Sequence, residues 1–187
     1  LYGDILESAD RAVLFKSAVK EIAYKHGIMA SFMAKWNMEL PGCSGHVHQS
    51  LWEGDKNVFF DAFGDEHMSE LMKSYIAGQL YCLPHILPMF APNINSFKRL
   101  VEGAWAPTTL TWASDNRTTA LRVLCGSEKS SRLETRVCGS DTNPYLAMAG
   151  CLASGLYGIK KGLKLEQEAT HGNGYEDFRN GKLPHSL

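Results

Sequence analysis

Two histidines, His46 and His48, are separated by a single valine in the segment PGCSGHVHQSLW, residues 41–52. Side chains two residues apart on a β-strand project from the same face, so a strand here would place both imidazoles together. Neutral imidazole is a common ligand for divalent metal ions. The pair is therefore a candidate metal site, and the alternative is a pair of surface or hydrogen-bonded histidines.

A run of small residues precedes the histidines and could bind a ligand through the backbone. Gly42, Cys43, Ser44 and Gly45 follow Pro41 directly. Glycines allow a backbone to come close to a bound group, and successive backbone N–H groups can bind carboxylates or phosphates. The segment therefore combines two features of a ligand site.

Arginines provide the stronger chemical signal. Few acidic residues near them could pair with them, although the whole chain is almost neutral. Guanidinium groups grip carboxylates and phosphates with two hydrogen bonds at once, so this clustering predicts a pocket for anions such as a nucleotide phosphate and a carboxylate. The arginines are Arg99, Arg117, Arg122, Arg132 and Arg136.

Glu134 lies two residues from Arg132 and two from Arg136, so on a strand all three side chains share a face. A carboxylate among arginines and histidines could bind a divalent metal that a phosphate also bridges. The simpler alternative is a ladder of salt bridges with no ligand.

Helical and strand-like patterns predict the elements that must position these residues. They do not alternate as in a βαβ winding, which favours an α+β fold with an antiparallel sheet backed by helices. Helix 143–163 has Asn143 as N-cap, Pro144 at its first position and an Ala/Gly stripe typical of close helix packing. The predicted elements are helices 4–26, 68–83 and 143–163, strands 28–36, 46–52, 57–62, 116–126 and 131–139, a loop followed by a strand within 101–112, and a polar loop over 168–187.

Composition excludes several classes of protein. The chain has 187 residues, 44% hydrophobic and 21% charged, which predicts one soluble globular domain. A net charge of −1 gives no overall bias toward nucleic acid or a membrane surface, and no apolar run reaches the ~18 residues of a membrane helix. Five cysteines without a CxxC pair indicate free thiols in a reducing cytoplasm. The chain opens without Met, in what reads as the middle of a domain, so we expect a fragment of a longer protein.

Five blocks in this order resemble the catalytic domain of glutamine synthetase. They are SGHVHQSLW, NINSFKRLVEG, AP followed by NRTTALRV, SRLETR, and NPYLAMAGCLASGLYGIK, and together they fall within residues 1–163. The resemblance implies that residues 1–187 are a C-terminal catalytic domain fragment, and that the small N-terminal domain and the first catalytic strands lie outside it.

The resemblance also implies an activity. In that family ATP phosphorylates the side-chain carboxylate of glutamate, ammonia displaces the phosphate, and Mg²⁺ or Mn²⁺ ions lie beneath the nucleotide. Glutamine biosynthesis, and thus nitrogen metabolism, would be its setting. Members assemble as homo-oligomeric double rings of ten or twelve subunits with sites between neighbours, so a homo-oligomer is implied, with glutamate and an amine as substrates.

The resemblance also implies roles for the residues of this chain that match the family motifs. His48, Arg117 and Arg122 resemble catalytic residues at the transferred phosphate, and His46 and Glu134 resemble ligands of one metal ion. Three further carboxylate ligands would lie upstream of Leu1. Gly42, Arg99 and Arg136 resemble the glutamate-binding residues, while His48, Ser50, Arg117, Arg122, Lys129 and Arg132 resemble residues at the nucleotide.

Two positions depart from ordinary bacterial glutamine synthetase. Trp105 stands just before Ala-Pro, where that enzyme has a glutamate that helps to collect the ammonium proton, and Pro41 stands where it has an asparagine. The Trp-Ala-Pro pattern resembles a divergent branch that includes fungal developmental-regulator homologues, γ-glutamyl ligases acting on other amines, and the lens protein lengsin. Two functions therefore stay open: a ligase for ammonia or another amine, and a catalytically silent scaffold.

Overall fold

The structure, a computed structural model, describes residues 3–187 of the chain. The helices are α1 (Ile5–Lys25), α2 (Glu70–Ile86), α3 (Ile94–Arg99) and α4 (Pro144–Lys161). The strands are β1 (Val47–Gln49), β2 (Trp52–Glu53), β3 (Lys56–Asn57), β4 (Trp112–Ser114), β5 (Leu121–Leu124) and β6 (Arg132–Thr135). The predicted α+β class is confirmed.

The main sheet has the strand order β1-β6-β5-β4, and β2 and β3 form a separate two-stranded ribbon. Strand β6 pairs antiparallel with both β1 and β5, as predicted. Strand β4 differs because it pairs parallel with β5. The chain returns between them through the short loop 115–120, which begins with Asp115 at a φ of 45°.

Helices α2 and α4 pack against each other at glycines. A Cβ atom on Gly158 would lie 2.1 Å from the carbonyl oxygen of Ser74, and one on Gly78 would lie 2.3 Å from that of Ser154. Such distances leave no room for a methyl group, so glycine lets the two backbones touch. The small-residue stripe predicted for α4 therefore is a helix-packing surface.

Two buried clusters form the core. One connects the end of α2, α3 and α4, and the other lies between α2 and the inner face of β4, β5 and β6. The first cluster contains Leu83, Leu87, Phe90, Ala91, Phe97, Leu100, Ala106, Ala120, Val137, Cys138, Ala147, Cys151 and Leu183. The second contains Phe59, Met68, Met72, Tyr75, Ile76, Leu80, Trp112, Leu121, Val123 and Leu133.

Local capping explains why two helices match their predicted bounds closely. The Asn143 side chain accepts hydrogen bonds from the first turn of α4, Pro144 begins that helix, and Gly162 ends it at a φ of 62°. Asp4 caps α1 in the same way. Most apolar side chains of α1 are exposed in this structure, and Ala9 is its buried residue.

The strand predicted over 28–36 is wrong. These residues are irregular, because their backbone groups bond to a loop and to a side chain instead of a neighbouring strand. Cys43 N–H donates to the Ala34 carbonyl at 2.8 Å. The side-chain amide of Asn95 bonds both to the N–H and to the carbonyl of Lys35, at 2.9 and 2.7 Å.

Other predicted bounds also shift. The strand predicted over 46–52 is divided into β1 and β2, so His46 lies just before β1. The strand predicted over 57–62 shrinks to β3 plus an isolated bridge between Phe60 and Met68. Helix α2 does not end at Pro84 but continues through it to Ile86, and the missing N–H of Pro84 removes one hydrogen bond from the last turn. The 168–187 loop contains one 3₁₀ turn at Gly174–Glu176.

Two further observations concern the cysteines and the helices within residues 3–187. The five cysteines are all free thiols. None of the helices in this part of the chain combines the length and the apolar character needed to cross a bilayer.

The helix contact at Gly158 can be tested by adding one methyl group. We expect Gly158→Ala to destabilise the protein by about 1–3 kcal/mol, because the new Cβ meets backbone rather than a movable side chain. Thermal unfolding would measure the loss.

Gly150→Ala is the matched control on the same helix. Its Cβ would lie 3.1 Å from Phe90 Cζ and 3.4 Å from Met89 Sδ, both at side-chain ends that can shift. Alanine also favours helix over glycine by up to about 1 kcal/mol. Equal losses in the two variants would contradict the backbone contact.

Candidate active site

The sheet register brings three predicted site residues into one row. His48 on β1 lies opposite Glu134 on β6, and Arg122 on β5 lies opposite Glu134 from the other side. Alternation along β6 turns Leu133 toward the core and Glu134 to the opposite face. The row is therefore a direct consequence of pairing in the sheet.

Glu134 is the centre of this cluster and is only 2% exposed. Its Oε1 accepts a hydrogen bond from Arg136 Nη1 at 2.7 Å, and its Oε2 accepts one from Arg122 Nη1 at 3.0 Å. Nδ1 of His46 lies 2.9 Å from Oε1, while Nε2 of His48 lies 3.6 Å from it. Burial raises the pKa of Glu134, but His46, Arg122 and Arg136 outweigh burial and lower that pKa to about 2. The carboxylate is therefore ionised at neutral pH.

Arg122 joins the cluster to the loop between β4 and β5. Its Nε donates to Asp115 Oδ1 at 3.0 Å, and its Nη2 contacts the same oxygen. One guanidinium thus links an exposed carboxylate at Asp115 with the buried one at Glu134. This planar group fixes the position of the loop that also carries Arg117.

His48 is held as a neutral imidazole. Arg132 Nε donates to His48 Nδ1 at 3.1 Å, which requires that nitrogen to be unprotonated. Burial lowers the pKa of His48, the charge of Glu134 opposes this, and the charge of Arg132 lowers the pKa further. His48 therefore has an Nε2–H that can donate toward a ligand.

Arg99 and Gly42 pack together beside this cluster. Arg99 is 2% exposed and donates from Nη2 to the Val137 carbonyl at 2.6 Å. A Cβ on Gly42 would lie 2.8 Å from Arg99 Cγ and 2.6 Å from the Ala34 carbonyl oxygen. Only glycine fits at position 42. The small-residue segment therefore allows the backbone to pack closely against Arg99.

The short helix α3 that carries Arg99 is fixed by side chains whose role the sequence did not reveal. Asn93 caps α3 in a reciprocal capping box with Ser96. Asp141 Oδ2 accepts from Ser96 Oγ at 2.6 Å and from Asn93 Nδ2 at 3.1 Å. Asn-x-Asn-Ser before a short helix is a recognisable capping signal, whereas the tie to Asp141 depends on the fold.

Three predicted residues lie at the edge of the cluster. Arg117 is exposed and forms no hydrogen bond or ion pair with the part of the chain that the structure describes. Lys129 is exposed in the turn between β5 and β6. Ser50 is partly buried and accepts from Trp52 Nε1 at 2.8 Å. The structure therefore leaves their roles as predictions.

Three predicted ligand-binding residues have a buried nitrogen without a partner. These atoms are His46 Nε2, Arg99 Nε and Arg136 Nε. Buried polar atoms in proteins are nearly always hydrogen-bonded, and the exceptions include atoms that bind a water or an ion or take part in catalysis. Unsatisfied nitrogens on these three side chains therefore fit a site built to receive a polar group.

A metal ion fits this site in part. Adjacent ligands of an octahedral ion with bonds of ~2.1 Å lie about 3 Å apart, close to the 2.9 Å between His46 Nδ1 and Glu134 Oε1. Within residues 3–187, however, no group of three or more His, Cys, Asp or Glu side chains could hold an ion. His46 and Glu134 can therefore supply only part of a ligand set.

Both residues that depart from ordinary glutamine synthetase are exposed. Trp105 is 65% exposed and has a φ of 55°, an uncommon conformation for a residue with a side chain. It follows Gly103, at a φ of 75°, in the loop after α3. Pro41 is exposed in the segment before Gly42.

Comparison with known proteins agrees with this geometry. The family model for the glutamine synthetase catalytic domain matches residues 1–187. The chain belongs to this family. It is 54% identical over 191 residues to type-1 glutamine synthetase 2 of Dictyostelium discoideum, covering 100% of this chain and 36% of that protein. It is 45% identical over 175 residues to γ-glutamylethanolamide synthetase GlnA4 of Streptomyces coelicolor, covering 93% of this chain and 37% of GlnA4.

The fold is also similar to a solved structure of a GmaS/ADP complex. The TM-score is 0.88 at 32% sequence identity, and the match covers 100% of this chain and 44% of that one. The predicted family is thus confirmed from both sequence and fold. The chain spans a little over one third of the length of the two curated relatives, 36% and 37%.

The central carboxylate can be tested with Glu134→Gln. We expect a loss of about 3 kcal/mol at neutral pH, because the buried Arg136 loses its counter-charge and Arg122 keeps only the exposed carboxylate of Asp115. Glu134 has a pKa of about 2 in the folded protein against an ordinary value of 4.5. Its stabilisation is therefore complete above 4.5 and is lost as pH falls through 2. Unfolding midpoints across this range would show the gap between variant and parent narrowing.

Glu70→Gln is the control for Glu134→Gln. Glu70 is exposed and pairs with Lys73 on the same helix turn. Its substitution should change stability little at any pH, since exposed pairs are screened by solvent. A Glu134→Gln variant as stable as Glu70→Gln at pH 7 would contradict the central role of the buried carboxylate.

Proposed function

We propose that the protein containing this chain is an ATP- and divalent-metal-dependent γ-glutamyl ligase. It joins ammonia or another amine to the side-chain carboxylate of glutamate through γ-glutamyl phosphate. The observation that carries the proposal is the buried cluster around Glu134 together with Arg99 beside it, because His46, Arg136 and Arg99 each have a buried nitrogen without a partner. Family membership supports the reaction type.

The residues proposed to bind glutamate are Arg99, Arg136 and Gly42. Both arginines are nearly fully buried and each has a free Nε–H, so a carboxylate entering the site would gain charge-assisted hydrogen bonds. Each guanidinium is already held at one end, Arg99 by the Val137 carbonyl and Arg136 by Glu134. Pre-positioned donors of this kind bind without the cost of ordering long side chains.

Phosphoryl transfer depends on positive charge fixed where negative charge develops. Arg122 is held by Asp115 and Glu134, and Arg117 lies in the adjoining loop and is exposed. His46 and Glu134 would hold part of the metal site, with the remaining ligands from carboxylates outside this chain. A divalent ion bound there would neutralise phosphate charge and polarise a phosphoryl oxygen.

The nucleotide would lie near His48, Ser50, Arg117, Arg122, Lys129 and Arg132. The neutral His48 has an Nε2–H available as a donor, and Arg132 fixes the orientation of its ring. The ADP in the similar GmaS complex supports nucleotide use in this fold. Mg²⁺ or Mn²⁺ is the proposed ion.

Trp105 favours an organic amine over ammonia as the acceptor of the γ-glutamyl group. An indole has no carboxylate to collect a proton from ammonium, but it offers an apolar surface for an organic substituent. The relative GlnA4 is named for γ-glutamylethanolamide synthesis, whereas the Dictyostelium relative is named a glutamine synthetase.

A silent scaffold is the second candidate function. The observation that favours it is that Glu134 already pairs with Arg122 and Arg136, so the cluster is a complete salt-bridge ladder without a metal. The unsatisfied nitrogens favour the ligase, because a ladder kept only for stability gains nothing from unpaired buried donors. Under either function we propose a cytoplasmic homo-oligomeric double ring.

The ligase is tested by phosphate release from ATP and glutamate with Mg²⁺, using the full-length protein and a panel of amines. The panel contains ammonia, ethanolamine, isopropylamine and putrescine. We expect amine-dependent phosphate release with at least one of them, and loss of that release in Arg122→Gln. An assembled protein that turns over none of them would contradict the ligase and favour the scaffold.

The metal role of His46 is tested separately by His46→Ala. We expect the Mn²⁺ dissociation constant to rise at least about tenfold, because an imidazole ligand is lost, and metal-dependent nucleotide binding to weaken with it. Electron paramagnetic resonance would count bound Mn²⁺. His171→Ala, an exposed histidine outside the cluster, should bind Mn²⁺ like the parent. Unchanged affinity in His46→Ala would refute the metal assignment.

A further inference from the structure

A closed ring of polar side chains lies inside the protein behind the candidate site. Gln49 Nε2 donates to Thr135 Oγ1 at 2.8 Å, and the Thr135 hydroxyl donates to Gln79 Oε1 at 2.8 Å. Gln79 Nε2 then donates to Gln49 Oε1 at 2.7 Å and closes the ring. Each group both donates and accepts, so the donors run in one direction around the ring.

Two further contacts tie the ring to the helices. The Tyr75 hydroxyl on α2 donates to Gln49 Oε1 at 2.7 Å. Gln79 Nε2 also donates to the Cys151 carbonyl on α4 at 3.0 Å. The ring therefore connects β1, β6, α2 and α4 at one point.

The ring is buried except at Gln49, which is partly buried, and its members are satisfied. Thr135 and Tyr75 are 1% exposed and Gln79 is 3% exposed. Burying these groups without partners would be costly, and a hydrogen-bonded network in a dry interior holds one arrangement. Apolar side chains would fill this space without any buried polar group to satisfy. Stability alone therefore does not account for a polar ring here.

The ring lies on the reverse face of the two strands that carry the candidate metal residues. Val47 pairs with Thr135 and His48 with Glu134, so alternation places Gln49 and Thr135 on one face and His48 and Glu134 on the other. Strand β1 has three residues and β6 has four, so few main-chain bonds define their register. A slip of one residue would turn His48 toward the helices.

We propose that Gln49, Thr135 and Gln79 form a positioning ring that holds β1 against β6 in the register that brings His46 and His48 to Glu134. The ring touches neither substrate nor metal and acts through the strands. Its link to catalysis rests on the proposed function, whereas its effect on the register does not. Tyr75 anchors the ring to α2.

Thr135→Val tests the positioning ring in the full-length protein. The substitution keeps the side-chain shape and removes the hydroxyl, which leaves the amide of Gln49 without its acceptor and the carbonyl oxygen of Gln79 without its donor. We expect amide hydrogen exchange over residues 46–49 to accelerate at least tenfold. The Mn²⁺ dissociation constant should rise roughly tenfold, the size typical for groups that orient metal ligands.

Thr109→Val is the matched control. Thr109 is fully buried and donates to the Gly174 carbonyl at 2.6 Å, away from β1 and β6. The same chemical change there should lower the thermal midpoint without altering exchange over residues 46–49 or Mn²⁺ affinity. Equal effects of the two variants on exchange would overturn the proposal, because the loss would then be general destabilisation.

The triple variant Gln49→Met, Thr135→Val and Gln79→Leu separates positioning from stability. It leaves no polar group in the ring, and the Tyr75 hydroxyl keeps the Cys151 carbonyl as an acceptor at 3.2 Å, so the thermal midpoint should recover toward that of the parent. Amide hydrogen exchange over residues 46–49 should stay faster than in the parent, because apolar contacts are not directional and do not hold the strands in one register. Parent-like exchange in the triple variant would overturn the proposal. The two proposals can fail separately. If Thr135→Val accelerates exchange while the parent protein turns over no amine, the positioning ring is supported and the ligase is rejected.

Discussion

The buried charge of Glu134 is the constraint on which the site depends. A carboxylate that is 2% exposed remains ionised only when positive or donor groups surround it. Arg122, Arg136 and His46 provide those groups from β5, from the end of β6 and from the residue before β1. The strand order β1-β6-β5 places these side chains around one carboxylate, so the site depends on β1 and β5 lying on either side of β6.

On the reverse face of the sheet, close packing rather than charge holds the strands in place. Helices α2 and α4 approach each other closely at Gly78 and Gly158, which makes a firm support for the short strands. Large apolar side chains such as Leu121, Val123 and Leu133 fill the space between α2 and the sheet. Charge on one face and close packing on the other are thus linked through strands of three or four residues.

Membership in the glutamine synthetase family and the divergence at Trp105 concern different parts of the site. The buried cluster contains the residues that match the family motifs, whereas Trp105 lies exposed on a loop with two positive φ angles. Loops tolerate substitution far more readily than a buried charge network does. Changes in such a loop can therefore leave the buried cluster intact.

By itself the sequence determined the α+β class, the family, and helices α1 and α4, since caps such as Asp4 and Asn143 act within a few residues. Same-face placement of His46 with His48, and of Glu134 with Arg132 and Arg136, also followed from alternation along strands, whereas the pairing of β1 with β6 brought the histidines to Glu134. Only the tertiary structure decided that residues 28–36 pair with a loop and with Asn95 instead of a strand. It alone also revealed the ring of Gln49, Thr135 and Gln79, because its members lie 30 or more residues apart and meet only after the sheet and helices pack.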